Sequence, residues 1–259
     1  GRYLPLDSPV HKMDPRAKII AMLVMLIAVF IPAGWIGYGV IFVVAASTIL
    51  ISKLSFGFIW KSMKPMLMML FFLLIINAFV MKTGKPLVAL GNFVIYSDAV
   101  FQTLYIAIRL MLMIMITTCL TATTKPLDMT LGIEDLLMPL KRFHVPAHEI
   151  AMLISIALRF IPDLIEETQR IMKAQQSRGV DMKEGKLMER VMAILSLIVP
   201  LFVSALQRAE YLSNAMEARG YAPVEKRTRY KVLKMEKRDY FILLGDFTTL
   251  IVMIGLAIL

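Results

Sequence analysis

The chain has 259 residues, 58% of them hydrophobic, and a mean hydropathy of +0.71. A soluble globular domain is about 45–50% apolar, so an excess gathered into runs excludes a soluble enzyme and marks an integral membrane protein. The net charge of +10 suits anionic lipid, an acidic protein or nucleic acid equally, and only its placement along the chain separates them.

The N-terminal segment carries Arg2, Lys12, Arg16 and Lys18. The chain begins at Gly1 rather than Met, which predicts that some native N-terminus is missing, and the first apolar run lacks a small-residue cleavage site. A spanning helix needs about 20 mostly apolar residues. The runs that fit are 19–31, 35–51 after the Pro32-Ala33-Gly34 turn, 66–81, 99–121 and 240–259. The first is short, but Ala17 and Lys18 extend it, with the lysine expected to snorkel to the interface. Cys119, the single cysteine, sits inside an apolar run and reads as a small buried hydrophobe. Arg109 interrupts the fourth run. A charge at membrane depth costs roughly 2.5–3.5 kcal/mol or more, so it is expected to face protein or water.

Flanking charge orients these spans. Lys53, Lys61 and Lys64 fall in the expected second-to-third loop, residues 226–238 hold seven basic residues and one acid, and the opposite loops hold only Lys82 and Lys85. Positive charge on the inner side places the N-terminus and residues 122–239 in the cytoplasm. That segment also holds most of the charge: 18 of 29 basic and 14 of 19 acidic residues lie between 126 and 238. The expected domains are therefore transmembrane helices over 1–124, a cytoplasmic domain over 125–239 and a last transmembrane helix over 240–259. Basic residues at 226–238 are then explained by the last span, which leaves no call for nucleic acid.

Two further apolar runs, 150–158 and 191–206, complicate this scheme. If both crossed, 163–190 would lie outside with six basic residues, against the charge rule. The preferred reading is that neither spans. Each is the apolar half of a long amphipathic helix whose other half is charged. The fold class expected is all-α: about five transmembrane helices plus two long amphipathic cytoplasmic helices.

Those two helices end alike. Residues 164–179 align without a gap against 205–220, and the copies close on Ser177-Arg178-Gly179 and Ala218-Arg219-Gly220, 41 residues apart. Gly179 and Gly220 suit the left-handed residue past a helix end. An arginine in a last turn complements the helix dipole, worth about 0.3–1 kcal/mol. Two copies on matched helices also suit recognition, since a guanidinium at a helix tip can bind a partner's carboxylates bidentately.

With these residues in view, the chain resembles the transmembrane coupling subunit of energy-coupling factor vitamin transporters, a branch of the ATP-binding-cassette importers. The resemblance is carried by His11-Lys12-Met13-Asp14-Pro15-Arg16, by Pro139-Leu140 through Val145-Pro146 to Ala157-Leu158-Arg159-Phe160-Ile161-Pro162, and by both small-Arg-Gly motifs. It covers essentially the whole chain. Ser177 departs from the family's usual alanine but keeps the small size. The resemblance implies that each tip docks on one of two ATPase subunits, with Arg178 and Arg219 pairing acidic groups and Gly179 and Gly220 allowing close approach. It implies that the apolar faces hold a substrate-binding membrane subunit, and that ATP-driven closure moves the tips. It also implies that this chain binds no cofactor, ATP and magnesium being used by the partners.

The remaining chemistry is thin. His144 and His148 with Glu149 faintly suggest a metal site or an intramembrane enzyme, but Pro146 between them starts a helix and need not leave the rings on one face. No Walker A sequence, dinucleotide fingerprint or nucleophile elbow occurs, so catalysis falls to partners. Asp163, Glu166 and Glu167 could imitate paired catalytic carboxylates, but on the polar face of a helix they are expected to be solvated or paired with Arg170 and Lys173. Pro162 and Pro200 are expected to bend their helices and are candidate hinges. The competing function is a stand-alone carrier for an anionic solute, using Arg109 or Arg159.

Overall fold

A computed structural model describes residues 3–80, 83–90, 93–139, 147–179, 187–222 and 232–258. Its helices are α1 (Pro15–Phe30), α2 (Gly34–Ile51), α3 (Phe56–Val80), α4 (Ser97–Thr123), α5 (Pro126–Leu137), α6 (Ala147–Ser177), α7 (Leu187–Ala218) and α8 (Lys237–Ile258). The chain divides into two compact units: 1–148 with 233–259, and 149–232.

Local sequence sets the ends of α1. Asp14 caps the helix by accepting from the Arg16 N–H at 2.9 Å, Pro15 occupies the first turn, and the helix stops before Pro32. At 16 residues it is the shortest of the expected spans. Among the described residues, five helices suffice by length and composition to cross a membrane: α2, α3, α4, α8 and the 188–218 portion of α7. The helical membrane fold stands, with α7 qualifying as a span on those grounds alone.

Three local expectations need correction. Lys61 and Lys64 do not lie in a loop, because α3 begins at Phe56 and runs on through Pro65. Lys18 does not snorkel. It is buried, and its ammonium donates to the carbonyls of His11 (3.2 Å) and Thr123 (3.0 Å), with the Thr124 hydroxyl at 3.5 Å. A cation at the C-terminal end of α4 meets the carbonyls that the helix leaves free and its negative dipole end. Between α3 and α4 stands an antiparallel hairpin, β1 (Pro86–Leu90) with β2 (Phe93–Tyr96), in the register Val88–Ile95, Ala89–Val94, Leu90–Phe93. The two short apolar runs flanking Gly91-Asn92 carried that signal.

The first unit is built around α1, which packs on α4, α5 and α8, with α2 against α4 and α8 and α3 against α4. Ile41, Leu112, Met253 and Val29 are fully buried at its centre, and Cys119 is buried with them as expected. Arg109 faces protein. Its Nε donates to the Tyr38 hydroxyl at 2.8 Å, and its guanidinium lies over the rings of Tyr105 (5.2 Å) and Phe30 (5.8 Å). Aromatic faces are attractive to a cation where water is excluded, so Arg109 fastens α1, α2 and α4 together.

The His11–Arg16 segment, which carried part of the resemblance, ties the base of this unit. Arg16 bridges Asp14 (2.9 Å) and Asp135 of α5 (3.4 Å). The buried Asp239 at the start of α8 accepts the backbone N–H groups of Glu236 (2.8 Å) and Asp14 (3.4 Å). His11 lies between Ser8 (Nδ1, 2.7 Å) and the Leu4 carbonyl (Nε2, 3.1 Å), and its partial burial lowers its pKa.

Candidate functional site

In the second unit, the apolar and charged halves of each copy form one continuous helix, α6 of 31 residues and α7 of 32. Both tips are built as the glycines foretold. Gly179 has φ +82° and Gly220 φ +72°. The N–H of Gly179 donates to the Gln176 carbonyl (3.0 Å), and that of Gly220 to Glu217 (2.8 Å). Beyond the second tip the Tyr221 N–H returns to Met216 (3.0 Å), completing the bonding pattern that ends a helix on a left-handed residue. A methyl group at either glycine would meet no atom within 4 Å. The glycines are therefore required by backbone conformation within the chain, and the space around them is open.

Ser177, Arg178, Ala218 and Arg219 are all exposed. The Ser177 hydroxyl donates to the Lys173 carbonyl at 3.0 Å, so serine replaces alanine here without an unsatisfied polar group. The two arginines thus present solvated guanidinium groups at the ends of long helices, each next to a glycine that offers no side chain.

The contacts between the helices reverse the order of the sequence. Met152 meets Tyr221 (Sδ to hydroxyl, 3.3 Å), Asp163 meets Arg208 (3.5 Å), Glu167 meets both Ser204 (2.7 Å) and Arg208, and Gln175 meets the Ser196 carbonyl (3.3 Å). Residue numbers on α6 rise as those on α7 fall, so the helices run in opposite senses and the tips point away from one another. The acidic residues Asp163 and Glu167 pair across to Arg208, where solvent or Arg170 and Lys173 of their own helix were expected. The crossing geometry brings Arg208 between them. Sequence reasoning passed over Arg208, Ser204 and Gln175. The 41-residue offset was their one signal, because it makes Arg208 the counterpart of Glu167.

Pro162 and Pro200 both lie inside helices that continue through them. Each removes a backbone donor, freeing the carbonyl four residues earlier. For Pro200 that carbonyl belongs to Ser196 and is taken by Gln175. His144 lies outside the described residues, and so does the side chain of His148.

Apolar side chains cover much of the remaining surface of this unit. Leu153, Ile154, Ile161 and Ile165 on α6, and Ile194, Ile198, Phe202 and Leu206 on α7, are all exposed. Contiguous exposed apolar surface marks contact with protein or membrane.

Known proteins bear the same stamp. Residues 7–230 match the family model described as CbiQ, cobalt transport protein. The chain is 45% identical over 244 residues to the energy-coupling factor transporter transmembrane protein EcfT of Macrococcus caseolyticus, covering 94% of this chain and 92% of that one. The namesake protein of Bacillus subtilis is 41% identical over 92% of this chain and 90% of its own. That of Lactococcus lactis is 37% identical over 98% and 96%. Matches of this extent cover both units and both tips, and the chain belongs to the family of energy-coupling factor transporter transmembrane proteins.

Proposed function

We propose that this chain is the non-catalytic coupling subunit of an ATP-driven vitamin or micronutrient importer. Its two helix tips, Ser177-Arg178-Gly179 and Ala218-Arg219-Gly220, each dock on one of two ATPase subunits. The observation that carries this reading is the duplicated tip itself: an exposed arginine followed by a left-handed glycine with open space around it, twice. Each arginine pairs with carboxylates of an ATPase, and each glycine lets the partner's backbone come close. ATP and magnesium belong to those partners.

The exposed apolar faces of α6 and α7 hold a substrate-binding membrane subunit, and the helices of the first unit anchor the assembly in the cell membrane of a prokaryote. The N-terminus and residues 122–239 are cytoplasmic on the charge rule. Because α6 and α7 run in opposite senses, both tips reach one side of the membrane only if the pair lies along the bilayer rather than across it. Each tip is 11 residues beyond the Glu167–Arg208 crossing, about 16 Å of helix, so the two grips are well separated. Movement of the ATPases toward each other then changes the crossing and is delivered to the membrane subunit lying on its apolar face, with Pro162 and Pro200 as the points of bending.

The test is retention of partners by full-length protein in mild detergent. Arg178→Ala and Arg219→Ala should each weaken ATPase association, and together should abolish it along with uptake. Full ATPase stoichiometry and normal uptake in the double variant would sink the reading.

A further inference from the structure

Pro200 has no N–H to give, so the Ser196 carbonyl lacks its donor within α7. The side-chain amide of Gln175, from α6, donates to that carbonyl at 3.3 Å. Gln175 stands three residues before Arg178 and one turn from the tip. The bond therefore joins the first tip directly to the site of backbone irregularity in the opposite helix.

The second tip lacks the counterpart. Under the 41-residue offset, Met216 stands where Gln175 does, and a thioether cannot donate. Ser155 stands in the place of Ser196, and Arg159, which keeps its N–H, in the place of Pro200. The prolines are not equivalent either, since the counterpart of Pro162 is Val203. Two tips that match in motif and in backbone thus differ in what holds them.

We propose that Gln175 is a positioning residue that fastens the first tip to the proline site of α7, so that a change of bend at Pro200 is carried across to Arg178 at the tip of the opposite helix. The transmission rests on reading the tips as ATPase-docking elements; the fastening concerns α6 and α7 alone.

A two-background comparison separates these parts. Hydrogen exchange is followed over residues 171–179 and 212–220 in the full-length protein in detergent. Gln175→Glu, which keeps the size but removes the donor, should speed exchange at the first tip by about fivefold, the factor expected of one hydrogen bond, and leave the second unchanged. Gln175→Lys, which keeps a donor, should stay near the native rate. With Pro200→Ala, which returns a backbone N–H to Ser196, Gln175→Glu should change exchange less than about twofold. An equal effect in both backgrounds, an effect at both tips, or none with Pro200 present would overturn the fastening. In the complex reconstituted with ATPases, Gln175→Glu should lower uptake per ATP hydrolysed while both ATPases remain bound. An unaltered ratio would overturn the transmission. The exchange arm needs no ATPase, so it decides the fastening even if the docking reading fails.

Discussion

Glu167 and Arg208 occupy the same place in the two copies of the repeat, 41 residues apart, and in the folded chain they pair with each other where α6 and α7 cross. Two identical helices crossing about a two-fold axis would bring like residues face to face, and like charges would repel. This duplicated sequence departs from identity at that position, placing opposite charges there, with Ser204 completing the acceptor side of Glu167. The crossing is thereby favoured and the tips are set at equal distances from it.

Reversing one partner should loosen the crossing. Both side chains are partly exposed, so Arg208→Glu or Glu167→Arg should destabilise the α6–α7 pair by about 1 kcal/mol, and the two together should restore most of it. A double-mutant cycle read from hydrogen exchange along α6 measures the coupling, and additive effects would show that the pair is incidental.

Gly179→Ala and Gly220→Ala should each cost about 1 kcal/mol of local helix-end stability, because an L side chain is strained at these positive φ values although space is open. Exchange at the amides of each tip reports it. If close approach to an ATPase also matters, a bulkier Gly220→Val should reduce ATPase retention far beyond that local cost.

Tyr38→Phe leaves the Arg109 Nε without its hydroxyl partner inside the first unit. The variant should lose about 1–3 kcal/mol in detergent unfolding. It should leave the tips and their exchange rates untouched, since Arg109 acts by packing helices and not at the second unit.

His11 adds a pH term. Its folded pKa is lowered from 6.5, first by burial, so its contribution to the N-terminal segment is complete above that value and lost as pH falls through the lower folded value. Exchange over residues 4–13 should rise on acidification below about 6.5, and His11→Gln should flatten that rise. A pH response of equal size without the imidazole would assign it to other groups.

Much of this was legible in the sequence because it depends on local pattern. Gly179 and Gly220 announced helix ends, and four of the five long apolar runs announced helices able to span a membrane. The rest depends on which distant residues meet. Nothing in the spacing of Asp163 and Glu167 says that their partner is Arg208 on another helix, so solvent or neighbours at helical spacing are what the sequence favours. Lys18 looked like an interfacial lysine until the end of α4 placed free carbonyls beside it. The direction in which α6 and α7 run past one another is a tertiary fact, and it sets the two tips at opposite ends of the helix pair.

The most direct measurement of the central claim is photo-crosslinking from the tips themselves in the assembled transporter. A photoreactive residue placed at Ser177 or at Ala218, both exposed, should capture an ATPase subunit from each position, while one at the exposed Ile165, beside the Glu167–Arg208 pair and away from both tips, should not. Capture of an ATPase from neither tip, with the complex otherwise intact and active, would contradict the account.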